Sequence, residues 1–260
     1  MEPGGDTTPG GDFVRSLAKG LAVIEAFDAQ AAGLTLSDVA KRTGLARGTA
    51  RRSLLTLVEL GYAGFDGKFF SLRPSVLRLG FAYLSALPFW NFAEPIMEDL
   101  VEEVRESCSA AVLDDTDIVY VLRIPTHKIM AISLGIGSRL PAFCTSMGRV
   151  LLSDRSDAEI ERILKRSDLR PRTNRTVTDR AELKRIIDEV RSKGWAMVNQ
   201  ELEEGLISIS APIRDRNDRV IAAMNVTGQA NRTPATQMVK NFLPPLRVAA
   251  DRITALLRPR

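Results

Sequence analysis

Histidine is almost absent: the chain of 260 residues has one, His127, and only two cysteines, Cys108 and Cys144. These shortages exclude much chemistry. One histidine and two distant cysteines do not supply a metal-ligand set. A Cys144–His127 nucleophile pair would have no identifiable third group to orient it. The sequence also lacks HExxH, CxxC, GxSxG and a phosphate-cradling glycine loop, and "GIGSRL" does not have the pattern of a nucleophile elbow. No metal, no cofactor and no catalytic residue are therefore expected. No run approaches the roughly 18 apolar residues needed to cross a bilayer. Residues 1–12, "MEPGGDTTPGGD", are rich in Gly, Pro and Thr without an apolar core, and read as a flexible tail instead of a signal peptide. Both cysteines sit beside small or apolar residues, which fits buried thiols in a reducing cytoplasm better than a disulfide scaffold, with a single bridge as the alternative.

What is present is an uneven charge. The net charge of +4 is modest. From Phe13 to Arg73, however, nine Lys and Arg face five Asp and Glu, whereas the longer remainder is nearly balanced. A dense positive segment beside a balanced one suggests that the first module meets a polyanion and the second does not. With 45% apolar residues the chain can fill ordinary cores, and its length allows two domains.

The positive segment has a readable architecture. In "RSLAKGLAVIEAFDA", Leu17, Leu21, Ile24 and Phe27 recur at helical spacing and predict one amphipathic helix with these residues inward. "TLSDVAKRTG" opens with Thr35 and has Asp38 three residues on, a variant of the capping box, and Gly44 offers a left-handed stop. A three-residue turn then leads into "LARGTARRSLLTLVELGY", so a short helix, a turn and a longer helix follow one another as in a helix-turn-helix. On the longer helix Ala50, Leu54, Leu57 and Val58 share one side, while Gly48, Thr49, Arg52 and Thr56 point away and Arg51 flanks them. In such a motif the start of the second helix enters the major groove, where arginine can donate two hydrogen bonds to guanine. "YAGFDGKFFSL" then predicts a tight hairpin around Asp66-Gly67, a wing with Lys68 at its tip. Thr35, Arg47, Gly48, Thr49, Arg51, Arg52 and Lys68 form the candidate DNA-contact set. A solvated basic surface is the competing account.

Residues 74–92 are expected to be a connecting helix, apolar on more than one side and so suited to pairing with the same helix of a second subunit. In residues 93–260, hairpin-linked strands alternate with helices: "CSAAVLD", "DIVYVLRIP", "IMAISLGI", then helices near 147–152, 157–166 and 179–193, then "WAMVNQ", "GLISISAPI" and "RVIAAMNVTG", and a last helix over 234–257. This pattern predicts an α+β domain around an antiparallel sheet, a common cradle for a small ligand.

Taken in order, "RSLAKGLAVIEAF", "LTLSDVAKRTGLARGTARRSLLTLVELGY", "GSRLPAFCTSMGRVLLS" and "ELEEGLISISAPIRDRNDRVIAAMNVTG" resemble the IclR family of bacterial transcriptional regulators. Through "PFWNFAEPIMEDLVEEVRESCSAAVLD" and "DIVYVLRIP" the chain is most similar to its β-ketoadipate-pathway regulators, which respond to protocatechuate or 4-hydroxybenzoate. The resemblance implies an N-terminal winged helix-turn-helix, a linker helix that makes the dimer contact, and a C-terminal GAF-like antiparallel sheet domain with flanking helices, assembled as a dimer or a dimer of dimers on operator DNA. Carried over to this sequence, the family's ligand positions fall on Thr145, Ser146 and Met147, where amides at a helix start suit a carboxylate, and on Ser208, Asn225 and Thr227. Members that bind small keto acids have a cysteine where this chain has Ser208, serines at Asn225 and Thr227, and an aspartate near Val198 and Asn199. Losing the acid favours an anionic ligand, and the amide and hydroxyls suit ring hydroxyls. An aromatic acid is thus expected over glyoxylate or pyruvate, with a short keto acid as the alternative effector.

Other residues are open in role. Ser208 and Ser210 either line the pocket or merely alternate along a half-exposed strand. Arg139, in "GSRLPAF", is shaped for a bidentate pair with a ligand carboxylate, with a structural ion pair or a solvated side chain as alternatives; Arg123, ending "VYVLR", is the other cation near the pocket. Phe143 is either a stacking wall or plain core.

Overall fold

The computed structural model describes residues 12–28, 31–126 and 134–257. They form two compact units that divide between Tyr83 and Leu84, inside the stretch expected to be the linker. The first unit opens with α1 (Arg15–Glu25), α2 (Leu36–Thr43) and α3 (Arg47–Glu59). Thr35 and Asp38 form a full capping box at the start of α2, and Gly44 closes it at φ 67°. Residues 44–46 then turn the chain into α3, whose Ala50, Leu54 and Leu57 are buried with Val23, Val39 and Phe70 in one small core. The wing is β1 (Ala63–Phe65) paired antiparallel with β2 (Phe70–Leu72).

Two local expectations are corrected here. On α1 the inward residue is Val23; Ile24 and Phe27 pack only partly, and Leu17 and Leu21 are exposed. The predicted stripe is rotated because Leu17 and Leu21 face a shallow groove between α1 and α3 instead of the core. The wing turn is also longer than a two-residue Asp-Gly hairpin. Phe65 pairs with Phe70, which leaves Asp66 to Phe69 as the connection. The Asp66 carboxylate accepts from the backbone N–H groups of Lys68 and Phe69, an Asx turn that holds the four residues together.

After a single 3-10 turn at Pro74–Val76 comes α4 (Leu77–Leu84), shorter than the helix expected to run to Pro88. Leu77, Leu79, Phe81 and Tyr83 are each more than half exposed. The second unit starts with α5 (Trp90–Val104), which begins well before Ile96 and contains Pro95; Ser107, expected in that helix, belongs to the following strand.

Six antiparallel strands make the sheet: β3 (Ser107–Asp114), β4 (Asp117–Ile124), β5 (Arg139–Pro141), β6 (Ala196–Asn199), β7 (Leu206–Arg214) and β8 (Val220–Gln229), in the order β5-β4-β3-β8-β7-β6. The third strand expected in "IMAISLGI" lies largely outside the described residues, as does His127. Leu134 to Ile136 are not strand, and β5 is the segment that pairs with β4.

The strands obey a two-residue period. Ile207, Ile209, Ala211 and Ile213 of β7 face α5 and α10 (Leu243–Leu257), while Ser208 and Ser210 face the other side. That opposite side is covered by α6 (Ser146–Ser153), α7 (Asp157–Arg166) and α8 (Arg180–Lys193). The last helix is not continuous from residue 234. A short α9 (Ala235–Gln237) and a π turn, Met238–Phe242, precede α10, because Pro244 and Pro245 have no N–H for the carbonyls one turn back.

Candidate functional site

In the first unit the start of α3, like that of α1, is left without a capping side chain. Its N-cap is Ala46, which has no side-chain acceptor, and its first turn contains no acid. Exposed N–H groups and the positive end of a helix dipole therefore stand beside Arg47 and Arg51, an arrangement that an anion would relieve. Arg47, Gly48, Arg51 and Arg52 are exposed, and Thr49 is half-buried. Thr49, Arg52 and Thr56 edge the groove against α1, so the two halves of the basic face lie on different flanks of the helix. Lys68 is exposed on the wing with its ammonium 5.1 Å from the Phe69 ring centroid. Thr35 is different. Its hydroxyl donates to Asp38 at 2.6 Å and accepts from the Asp38 amide, so its polar atoms belong to the cap. The Asp38 carboxyl, held low first by that Thr35 hydrogen bond, is an anion there. A phosphate contact from the Thr35 side chain is not what this arrangement favours.

In the second unit, a pocket lies between the sheet and α6, bounded by Tyr120, Arg123, Leu134, Cys144, Thr145, Ser146, Met147, Val198, Leu202, Leu206, Ser208, Asn225 and Thr227. The strand register explains its polar floor. Arg123 on β4 lies opposite Ser109 on β3, Ser109 opposite Asn225 on β8, and Asn225 opposite Ser210 on β7, one polar row across four strands. A second row joins Ser107, Thr227 and Ser208. Side chains link these rows: Arg123 donates to Ser109 Oγ at 3.2 Å, the Ser109 amide to Asn225 Oδ1 at 3.2 Å, and Asn225 Nδ2 to Thr227 Oγ1 at 3.0 Å. Across the pocket, the hydroxyls of Ser146 and Ser208 are 2.8 Å apart. Burial pushes the Tyr120 phenol up to about 12 against the opposing pull of Arg123, so it remains a donor at neutral pH. The free space enclosed is about 30 Å³. A cavity that takes benzene measures about 150 Å³, so a ring enters only as lining side chains move.

Residues 81–255 match the bacterial transcriptional regulator IclR C-terminal domain, and residues 16–67 match the IclR helix-turn-helix domain. The chain belongs to the IclR family. Among its relatives, the Pca regulon regulatory protein of Pseudomonas putida is 43% identical over 240 residues, 92% of this chain and 82% of that protein. The p-hydroxybenzoate hydroxylase transcriptional activator of Acinetobacter baylyi is 36% identical, covering 95% of this chain and 93% of its own. The crystal structure of an IclR homolog complexed with 4-hydroxybenzoate, from Microbacterium hydrocarbonoxydans, superposes with a TM-score of 0.82 at 27% identity, over 93% of this chain and 98% of that one. This IclR-family protein is a DNA-binding transcriptional regulator, not an enzyme, as its relatives are named.

Within the IclR fold the structure sorts the expected pocket residues. Thr145, Ser146, Met147, Ser208, Asn225 and Thr227 are brought together, with Thr145 serving as the N-cap of α6 by accepting from the Gly148 amide. Ser210 is on the same face but fully buried and outside the pocket, donating to the Met224 carbonyl at 2.8 Å. Ser208 is half-buried at the pocket, and only Ser210 is wholly enclosed. Arg139 is corrected: it is exposed, away from the pocket, and held by Asp114 and Asp117 at the β3–β4 turn. Its proximity in sequence to Thr145 misled, because β5 runs it to the sheet edge. Phe143 is core, as its alternative reading had it. Cys108 and Cys144 are buried and unbridged, and burial pushes the Cys144 thiol up to about 11, far from a reactive thiolate.

Two positions that hold the start of α6 in place gave no sequence signal. Arg149 on α6 is 3% exposed and forms a two-pronged pair with Glu201, Nη1 to Oε1 at 2.7 Å and Nη2 to Oε2 at 2.6 Å, while its Nε donates to the Phe143 carbonyl. Glu201 also accepts from the Val177 amide, so this pair ties the start of α6 to two loops. Gly148 is needed because a Cβ there would stand 2.1 Å from the Ala142 carbonyl oxygen. "TSMGR" contains both Gly148 and Arg149, yet only the folded contact gives either a reason.

Proposed function

We propose that this regulator binds operator DNA through α3 and the wing, and is controlled by a small aromatic acid of the protocatechuate or 4-hydroxybenzoate kind. The observation that carries the effector reading is the polar floor of Ser208, Asn225 and Thr227 set among Leu134, Met147, Val198, Leu202 and Leu206, a pairing of hydrogen-bonding groups with apolar walls that suits a hydroxylated ring. The named roles of the Pseudomonas and Acinetobacter relatives, and the 4-hydroxybenzoate in the Microbacterium homolog, support it. Thr49, Arg51 and Arg52 meet base edges or the flanking backbone, and Arg47 and Lys68 meet phosphates. The apolar residues of α4 make the contact with a second copy, giving a dimer or a dimer of dimers in the cytoplasm. Effector binding acts by population shift, altering how the paired DNA-binding units match two half-sites.

The test is a thermal-shift panel of hydroxybenzoates and short keto acids. A ligand that binds only the folded protein, present at 100 times its dissociation constant, adds roughly 2.7 kcal/mol of stability. Hydroxybenzoates are expected to raise Tm. The narrow cavity is the one observation that favours a shorter ligand, and a shift with pyruvate or glyoxylate alone would replace the aromatic acid by a keto acid.

A further inference from the structure

We infer that Arg123 is the residue that receives the effector's carboxylate, and so sets the preference of the pocket for acids over neutral rings of the same shape. This rests on the aromatic-acid reading above. Arg123 lines the pocket and is half-buried, and its guanidinium donates to one neutral partner, Ser109 Oγ. Among the described residues no carboxylate lies within ion-pair distance of it. A guanidinium has five N–H donors and is not deprotonated in proteins. A half-buried charge with one neutral partner is therefore under-satisfied, and a planar carboxylate fits its fork with two parallel hydrogen bonds.

Of the other described cations of this region, Arg172, whose charge reaches Cys144, is exposed and does not line the pocket, and the remaining two are already matched. Arg139 is held by Asp114 and Asp117, and Arg149 by Glu201. Tyr120, beside Arg123, stays a neutral phenol because burial raises its pKa, so it does not supply the missing counter-charge. The start of α6 is the competing carboxylate site: its Gly148 amide is taken by Thr145 Oγ and its Ser146 hydroxyl by Ser208, while the Ser146 and Met147 amides, the first of the helix, have no intrahelical acceptor and suit a ring hydroxyl oxygen at the far end of the ligand. Geometry agrees with the assignment. Arg123 on β4 and Ser208 on β7 are separated by β3 and β8, about 14 Å of sheet. An arginine side chain reaching inward and a para-substituted ring bridge that span. The carboxylate then meets Arg123, the ring lies over Asn225 and Thr227, and the ring hydroxyls meet Ser208 and Ser146.

The experiment is calorimetric titration of the full-length protein with two matched pairs, 4-hydroxybenzoate with 4-hydroxybenzamide and protocatechuate with 3,4-dihydroxybenzamide. The unaltered protein is expected to bind each acid at least tenfold more tightly than its amide. Arg123→Gln is expected to lose that preference, with acid binding weakened tenfold or more and amide binding changed by less than threefold. An Arg123→Gln protein that retains the full acid preference overturns the inference while leaving the aromatic reading intact. An unaltered protein that binds none of the four overturns the aromatic reading and this inference with it. Arg123→Lys retains the charge and is expected to retain an acid preference. If Arg123→Gln does not fold, Arg123→Met is titrated in its place, and full retention of the acid preference in that variant overturns the assignment.

Discussion

Two helix starts divide the work of this molecule, and they are built in opposite ways. α3 begins at an alanine, has no capping side chain, and presents Arg47, Gly48, Arg51 and Arg52 to solvent. α6 begins at Thr145, which caps it, and all eight of its residues are buried. An open helix end beside arginines is incomplete until a polyanion arrives, which suits a partner that must be found and released in salt water. A capped end packed on all sides is complete in advance, which suits holding a few side chains at fixed positions around a small ligand. The same backbone device thus serves either as a docking point or as a wall, according to what fills its first turn.

Breaking the Arg149–Glu201 pair should test the α6 side most severely. Leaving one buried charge without the other costs about 3–5 kcal/mol, so Glu201→Ala is expected to lower urea stability by that order and to abolish the effector-induced Tm shift. Replacing both, Arg149→Met with Glu201→Leu, should recover most of the stability, and a double variant no more stable than the single one would show that the pair is not what holds the loops. Next in size are two changes of roughly 1–3 kcal/mol, one for each helix. Gly148→Ala forces a Cβ against the Ala142 carbonyl and should reduce stability on denaturant titration by this amount. Arg52→Ala should instead weaken operator binding by a similar amount on a mobility-shift assay if it reads a base, leaving effector binding unchanged. Equal loss on unrelated DNA would make Arg52 a phosphate contact. Exchanging the caps gives the smallest and sharpest contrast. Thr145→Ala should destabilise by about 1 kcal/mol. Ala46→Asp should stabilise the first unit slightly, yet weaken DNA binding because a carboxylate then occupies the place of a phosphate. Equal DNA affinity in Ala46→Asp would mean that the start of α3 does not approach the backbone.

Much of this fold can be read from local patterns. The Thr35–Asp38 box, Gly44, the buried positions of α3, and the alternation in β7 and β8 are each fixed by neighbours a few residues away. So are the ranges of α7 and α8, which start at Ser156 and Asp179 caps. Where the reading failed, the deciding partner was distant in sequence or the competition was between two apolar surfaces. Leu17 and Leu21 have the right spacing for a core, but Val23 has the right angle once α1 lies against α3. Arg139 is near Thr145 in sequence but at the sheet edge in space, and Arg123 is distant in sequence but in register with Ser109 and Asn225. The register of β4 on β3 contains a bulge at Ala110 and Ala111 that no pattern announces, and it helps to determine which β4 side chains face the pocket. Asp66-Gly67 correctly marked a turn, but the Asp66 carboxylate, not the dipeptide alone, sets its length.

The smallness of the enclosed pocket, about 30 Å³ with the Ser146 and Ser208 hydroxyls closed across it, has a consequence in time. If a ring enters only while Leu134, Leu202 or Leu206 is displaced, the rate of entry is bounded by how often those side chains move apart, not by how often ligand collides. Observed association rates would then level off as ligand concentration rises, and release would wait on the same opening.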